Sequence, residues 1–205
     1  MIAALITLAS LGCKNRRETN PIILIQTDIG DISVEIYPEK APLTVDNFLR
    51  YVDEERFTSA SFYRVVRLDN QPDNEVIIEV IQGGIGFAES DMRLPPIEHE
   101  TTDKTGILHT DGVISMARAA PGTASSEFFI CVGAQPELDF GGGRNPDGQG
   151  FAAFGRVVKG MDVVHTIHNE PATAQMLVVP IRILGVRRMK KKSALVGSRN
   201  AGGVQ

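Results

Sequence analysis

The sequence predicts a mainly β fold, a closed antiparallel barrel with a helix plugging each opening, and three observations carry that expectation. Short β-branched segments of alternating polarity recur along most of the chain. Turns rich in glycine punctuate them, and the 20 glycines and 11 prolines among 205 residues suit a turn-rich fold better than a helix bundle. Only two stretches, one near each end of the body, carry the apolar period of an amphipathic helix. Closing the sheet removes the edges that such strands would otherwise expose to aggregation.

The elements follow in order. Ile22-Ile23-Leu24-Ile25 is a β-branched run, and Thr27-Asp28-Ile29-Gly30 is a turn signal. Ile32, Val34 and Ile36 then alternate with Ser33, Glu35 and Tyr37, which predicts a hairpin with a half-exposed second strand. Pro42 stands at a helix start, and Val45, Phe48, Leu49 and Val52 recur at i, i+3, i+4 and i+7. About three helical turns should therefore pack on the sheet by one face. Further strands are expected over residues 61–66, 77–81, 113–117, 128–132 and 152–157, with a glycine-rich turn over 141–150. A second helix is expected over 161–168, with Met161, Val164 and Ile167 inward, and a last strand over 179–186. Seven or eight strands result.

The folded body spans residues 21–186. Residues 1–20 precede it as an apolar leader and tether. The first twelve carry no charge, too few to span a bilayer but suited to the core of a secretory signal. Leu11-Gly12-Cys13 resembles the end of a bacterial lipoprotein signal, which implies a lipid on Cys13 and a chain held on the periplasmic side of a bacterial membrane. Residues 187–205 form a basic tail, with Arg188, Lys190, Lys191 and Lys192 followed by Ser, Gly and Asn without periodicity, and a disordered solvated end is expected.

Composition excludes several classes. Apolar residues at 42% and charged residues at 22% rule out wholesale disorder. A net charge of −4 argues against a dedicated nucleic-acid binder. Two cysteines make no disulfide framework, and no Cys/His spacing suits zinc. Gly-x-Ser-x-Gly, His-Glu-x-x-His and Gly-x-x-x-x-Gly-Lys are all absent. Cys131, inside Phe128-Phe129-Ile130-Cys131-Val132, reads as a packed core thiol. His99, flanked by Glu98 and Glu100, reads as a surface loop rather than a metal ligand.

The remaining segments together resemble the cyclophilin family of peptidyl-prolyl isomerases. They are Phe62-Tyr63-Arg64-Val65-Val66, Gln82-Gly83-Gly84, Gly112-Val113-Ile114-Ser115-Met116-Ala117-Arg118, Ala124-Ser125-Ser126-Glu127-Phe128-Phe129-Ile130 and Phe154-Gly155-Arg156-Val157. Leu138-Asp139-Phe140-Gly141-Gly142 and Asn145-Pro146-Asp147-Gly148-Gln149-Gly150 look most like a bacterial branch. The resemblance implies a closed antiparallel eight-stranded β-barrel capped by two α-helices. It also implies an isomerase that acts on X–Pro bonds of unfolded or exported polypeptides as a monomer, without cofactor or metal.

By position the resemblance makes Arg64 the catalytic cation and Gln82 a partner for substrate backbone. Phe129 and Leu138 correspond to the apolar proline pocket, with Val80 in a place usually held by methionine. Ala117 and Arg118 match a strand end whose backbone pairs with the bound peptide. Phe128 and Phe129, adjacent on a strand, must face opposite sides, so one is core and the other lines the pocket. Departures from the family pattern are specific: Glu127 replaces a frequent glutamine, Phe151 replaces a histidine, and no tryptophan stands near Glu137-Leu138. Glu79 falls where relatives place a pocket phenylalanine. About ten extra residues between Arg64 and Gln82, including 68–74, are able to shift that register. A carboxylate at Glu79 would compete for Arg64, and Phe151 is the candidate to supply the missing apolar wall. A proline-peptide binding module with little turnover, or a bare scaffold, are the competing readings.

Overall fold

The computed structural model describes residues 20–190. Cys13, the remaining leader and the chain beyond Lys190 lie outside the described residues. β1 (Ile22–Thr27) and β2 (Gly30–Ile36) form the expected hairpin. Thr27 closes it by donating its hydroxyl to the Gly30 carbonyl at 2.6 Å. α1 (Pro42–Asp53) begins at a proline, whose missing N–H would be unpaired there anyway. β3 (Ser61–Val66), β4 (Val80–Gly84), the single turn α2 (Thr102–Thr105), β5 (Val113–Met116), β6 (Phe128–Cys131) and β7 (Ala152–Lys159) follow. α3 (Met161–Asn169), the two-residue β8 (Ala172–Thr173) and the long β9 (Met176–Arg188) are the last elements among the described residues.

The strands pair in the order β1-β2-β7-β5-β6-β4-β3-β9, and β9 pairs again with β1. Every ladder is antiparallel, so eight strands close a barrel and β8 is an appendage of β9. Inside it, Phe48 of α1 meets Phe154 and Phe128 at centroid separations of 5.0 and 5.8 Å, and Phe62 also meets Phe128 at 5.8 Å. Val164 and Ile167 of α3 join the same continuous core.

Several elements differ from the sequence reading, and the main differences have physical reasons. The strand expected over 77–81 is β4, shifted to Val80–Gly84. Upstream, the Gln71 amide satisfies both backbone groups of Ile78, accepting from its N–H at 3.3 Å and donating to its carbonyl at 2.8 Å, so no ladder is needed there. Downstream, Gly83 and Gly84 serve close strand approach rather than a turn: a Cβ on Gly83 would lie 2.7 Å from the Ser61 carbonyl. α2 has no apolar period to reveal it. β9 runs two residues past the expected limit at 186, so Arg187 and Arg188 pair with Leu24 and Ile23 instead of opening the tail.

Candidate active site

Alternation along β4 and β6 sends residues to two sides of the barrel wall. Ile81, Phe128 and Ile130 point into the core, whereas Val80, Phe129 and Cys131 point outward. The outward set packs with Val66, Ile78 and Leu138, and with the edges of Ala117 and Phe151, into a second apolar cluster on the outer surface. Phe151 meets Phe129 edge-to-face at 5.2 Å. A cleft of about 470 Å³ opens on this cluster.

β3 departs from alternation. Phe62 pairs with Gly83 and Arg64 with Gln82, so Tyr63 is an extra residue, a β-bulge. Phe62 and Val65 stay in the core, and both intervening side chains turn outward towards Gln82. The bulge therefore sets Tyr63 and Arg64 side by side at the cleft. Arg64 donates through Nη1 to Gln82 Oε1 at 2.6 Å, and through Nε and Nη2 to Gln175 Oε1 at 3.0 and 2.5 Å. No carboxylate among the described residues pairs with it. Burial and the nearby Arg144 cation lower its pKa from the ordinary value, yet a guanidinium stays charged.

Glu127 ends the polar side of the cleft. It is 8% exposed and accepts from the Tyr63 hydroxyl at 2.5 Å, the Ser126 hydroxyl at 2.9 Å and the Gly86 N–H at 3.1 Å. Burial outweighs these donors and raises its pKa. Gly84 is needed beside it: its φ is +148°, and a Cβ would lie 2.5 Å from the carboxylate. Arg64, Gln82, Tyr63 and Glu127 form one chain of hydrogen bonds from a cation to a buried carboxyl.

All nine residues singled out from the sequence line this cleft: Arg64, Val80, Gln82, Ala117, Arg118, Glu127, Phe129, Leu138 and Phe151. Arg118 uses its side chain as a clamp, pairing with both oxygens of Asp147 at 2.8 Å and donating to the Gly150 carbonyl, with its guanidinium 5.2 Å from the Phe151 ring. Glu79 does not compete for Arg64. It lines a separate depression with Arg67 and Glu170, and Ile78 supplies the apolar wall in its place. Glu79 lies between Ile78 and Val80, which both face the cleft, and its carbonyl accepts from the Val132 N–H at 3.0 Å, so alternation along the ladder turns its side chain away. Sequence reasoning gave no role to Gln175, Arg144, Arg93 or Phe87, all at or beside the cleft. Phe87, 72% exposed and edge-to-face on Tyr63 at 5.4 Å, carried the one readable signal, an aromatic that ends the glycine-rich run Gly83-Gly84-Ile85-Gly86.

A closed barrel bearing an uncompensated cation next to an apolar slot on its outer wall defines a peptide-receiving enzyme of the prolyl isomerase class. The family model for cyclophilin type peptidyl-prolyl cis-trans isomerase/CLD matches residues 22–188. The chain belongs to that family and is a peptidyl-prolyl cis-trans isomerase. It is 33% identical over 192 residues to a peptidyl-prolyl cis-trans isomerase of Acinetobacter baylyi, covering 89% of this chain and 93% of that one. It is 36% identical over 151 residues to peptidyl-prolyl cis-trans isomerase B of Escherichia coli K12, covering 71% and 83%. A crystal structure of a Cryptosporidium parvum cyclophilin type isomerase, obtained in the presence of the dipeptide Ala-Pro, superposes with a TM-score of 0.65 at 22% identity, over 83% of this chain and 99% of that one.

Proposed function

We propose that this chain accelerates X–Pro rotation in unfolded or exported polypeptides, with Arg64 as the catalytic residue. The single observation that carries the reading is a fixed cation beside an apolar slot, with no acid partner among the described residues. Rotation about a peptide bond faces a barrier of roughly 18–20 kcal/mol because resonance holds it planar. Twisting breaks that resonance, and the prolyl nitrogen regains a lone pair. A guanidinium has five N–H donors. Three of Arg64's are engaged by Gln82 and Gln175, which leaves one each on Nη1 and Nη2 for the substrate. A donor that meets the lone pair only in the twisted state lowers the barrier without tightening the ground state.

Phe129, Leu138, Val80 and Phe151 receive the proline ring in this reading, and Gln82 offers its amide to substrate backbone. Ala117 and Arg118 present a strand end to the peptide while the Arg118 side chain holds the wall. Uncatalysed exchange takes tens to hundreds of seconds, slow enough to limit folding, so acceleration is useful to a newly exported chain. Exchange spectroscopy on a proline peptide with the full chain tests the activity. Saturable binding without faster exchange would select the binding-module reading instead.

The same reading places the protein at the periplasmic side of a bacterial membrane, as a monomer held by a lipid on Cys13. Barrel topology supports such a tether. The leader joins at β1, and β9 leaves beside it, with Met189 N–H bonded to the Ile22 carbonyl at 2.8 Å. In the ring of eight strands, β6 lies four strands from β1 in either direction. A chain tethered at the β1–β9 seam is therefore attached opposite the strand that carries Phe129. Intact mass after membrane extraction tests the anchor: the unmodified mass of the full chain would refute it.

A further inference from the structure

Arg64 is gripped from two sides by neutral amides, and the polarity of each amide is dictated from its far end. Gln82 Nε2 donates at 3.0 Å to the Tyr63 hydroxyl, whose own proton goes to Glu127, so Gln82 must turn its oxygen to Arg64. Gln175 Nε2 donates at 3.2 Å to the Asn70 carbonyl. Reversing the Gln175 amide would set its NH2 group against two guanidinium donors and its oxygen against a carbonyl.

The support behind Gln175 is built as firmly. Asn70 sits in the extra loop between β3 and β4, where its side chain accepts from the Arg67 N–H at 2.8 Å and donates to the Val65 carbonyl at 3.1 Å. Gln175 is tied to the same strand, its carbonyl accepting from the Val65 N–H at 2.9 Å. Ala174, just before it, adopts φ 52° in the left-handed region, a strained conformation that persists only where the surroundings hold it. The β8–β9 turn and the extra loop thus deliver one amide oxygen to one edge of the guanidinium. A carboxylate there would make the same two hydrogen bonds but cancel the charge; an amide fixes the plane and leaves the charge.

We propose that Gln175 is a positioning residue for the isomerase reaction, holding the Arg64 guanidinium in a single plane without neutralising it, with the extra loop as its support. The inference rests on Arg64 being the catalytic cation, and the test separates the two. In the full chain, kcat and KM for a proline peptide are measured for Arg64→Ala, Gln175→Ala and Gln175→Glu. The Arg64 Nε–H resonance and the melting temperature are followed alongside. Gln175→Ala is expected to lower kcat about ten-fold with KM within about two-fold, since misplacing a reacting group slows chemistry more than binding. The Nε–H resonance broadens as the guanidinium gains freedom. Gln175→Glu is expected to fold normally and still lower kcat at neutral pH, with activity relative to wild type recovering as acid protonates the new carboxyl. Wild-type kcat in Gln175→Ala beside an inactive Arg64→Ala overturns the positioning role alone. Should Gln175→Ala not fold, wild-type kcat in Gln175→Glu at neutral pH overturns it. Full activity in Arg64→Ala overturns the catalytic reading and this one with it.

Discussion

The two faces of the barrel wall formed by β4 and β6 share a backbone but not a task. On the inner face Phe128, Ile81 and Ile130 are sealed among side chains from both longer helices, with no exposure. On the outer face Phe129, Val80 and Cys131 are nearly as buried, yet they form the floor of a cleft. Adjacent positions thus divide between holding the fold and receiving the substrate. The polar devices of the cleft stand where alternation breaks: the bulge at Tyr63, the β8–β9 turn at Gln175 and the extra loop at Asn70.

The sharpest way to break the comparison is a pair of truncations one residue apart. Phe128→Ala is expected to cost about 3–5 kcal/mol of stability, because the cavity it leaves cannot collapse. Phe129→Ala opens onto the cleft and is expected to cost less, about 2 kcal/mol, while raising KM for a proline peptide about ten-fold. Denaturant melts and steady-state kinetics on both variants check this. Equal stability losses would show that the outer cluster is core like the inner one.

Glu127 sharpens the comparison through pH. Burial holds its carboxyl above the ordinary 4.5, so the folded protein binds that proton more tightly than the unfolded chain does. Stability tied to this group is full below the ordinary value and falls as the pH rises through the folded one. Glu127→Gln removes the dependence. The variant is expected to melt above wild type at neutral pH, with the gain shrinking towards pH 4.5. Melting curves across that range check it, and a gain that grows in acid would contradict it.

The smallest effect is expected far from the cleft. Arg188 and Asp53 pair at 2.5 Å, but their side chains are 45% and 48% exposed. Arg188→Ala should change stability by less than about 1 kcal/mol, because water screens such pairs. Its isomerase kinetics should match wild type.

Much of this division was legible in the sequence, for reasons that also mark its limits. Strand alternation is strictly periodic, so the opposite facing of Phe128 and Phe129 followed from adjacency alone. Both longer helices announced themselves by an apolar stripe. Glu79 was assigned by position to the pocket, but Ile78 and Val80 take the cleft side, so alternation sends Glu79 to the other face, and which parity faces the cleft is set by pairing rather than by residue type. The outward turn of both Tyr63 and Arg64 was hidden because a bulge leaves no compositional mark. Gln175 was invisible: it meets Arg64 across 111 residues of sequence, through a two-residue strand that no periodicity reveals.

The central claim is that Arg64 stabilises a half-rotated prolyl bond rather than merely holding the peptide. Exchange spectroscopy and peptide titration on Arg64→Ala, compared with wild type, test it together. The expected result is a loss of about 10²–10³ in catalysed exchange, as for removal of a donor aimed at developing charge, with peptide affinity nearly unchanged. Exchange as fast as wild type, or a loss explained wholly by weaker binding, would contradict it.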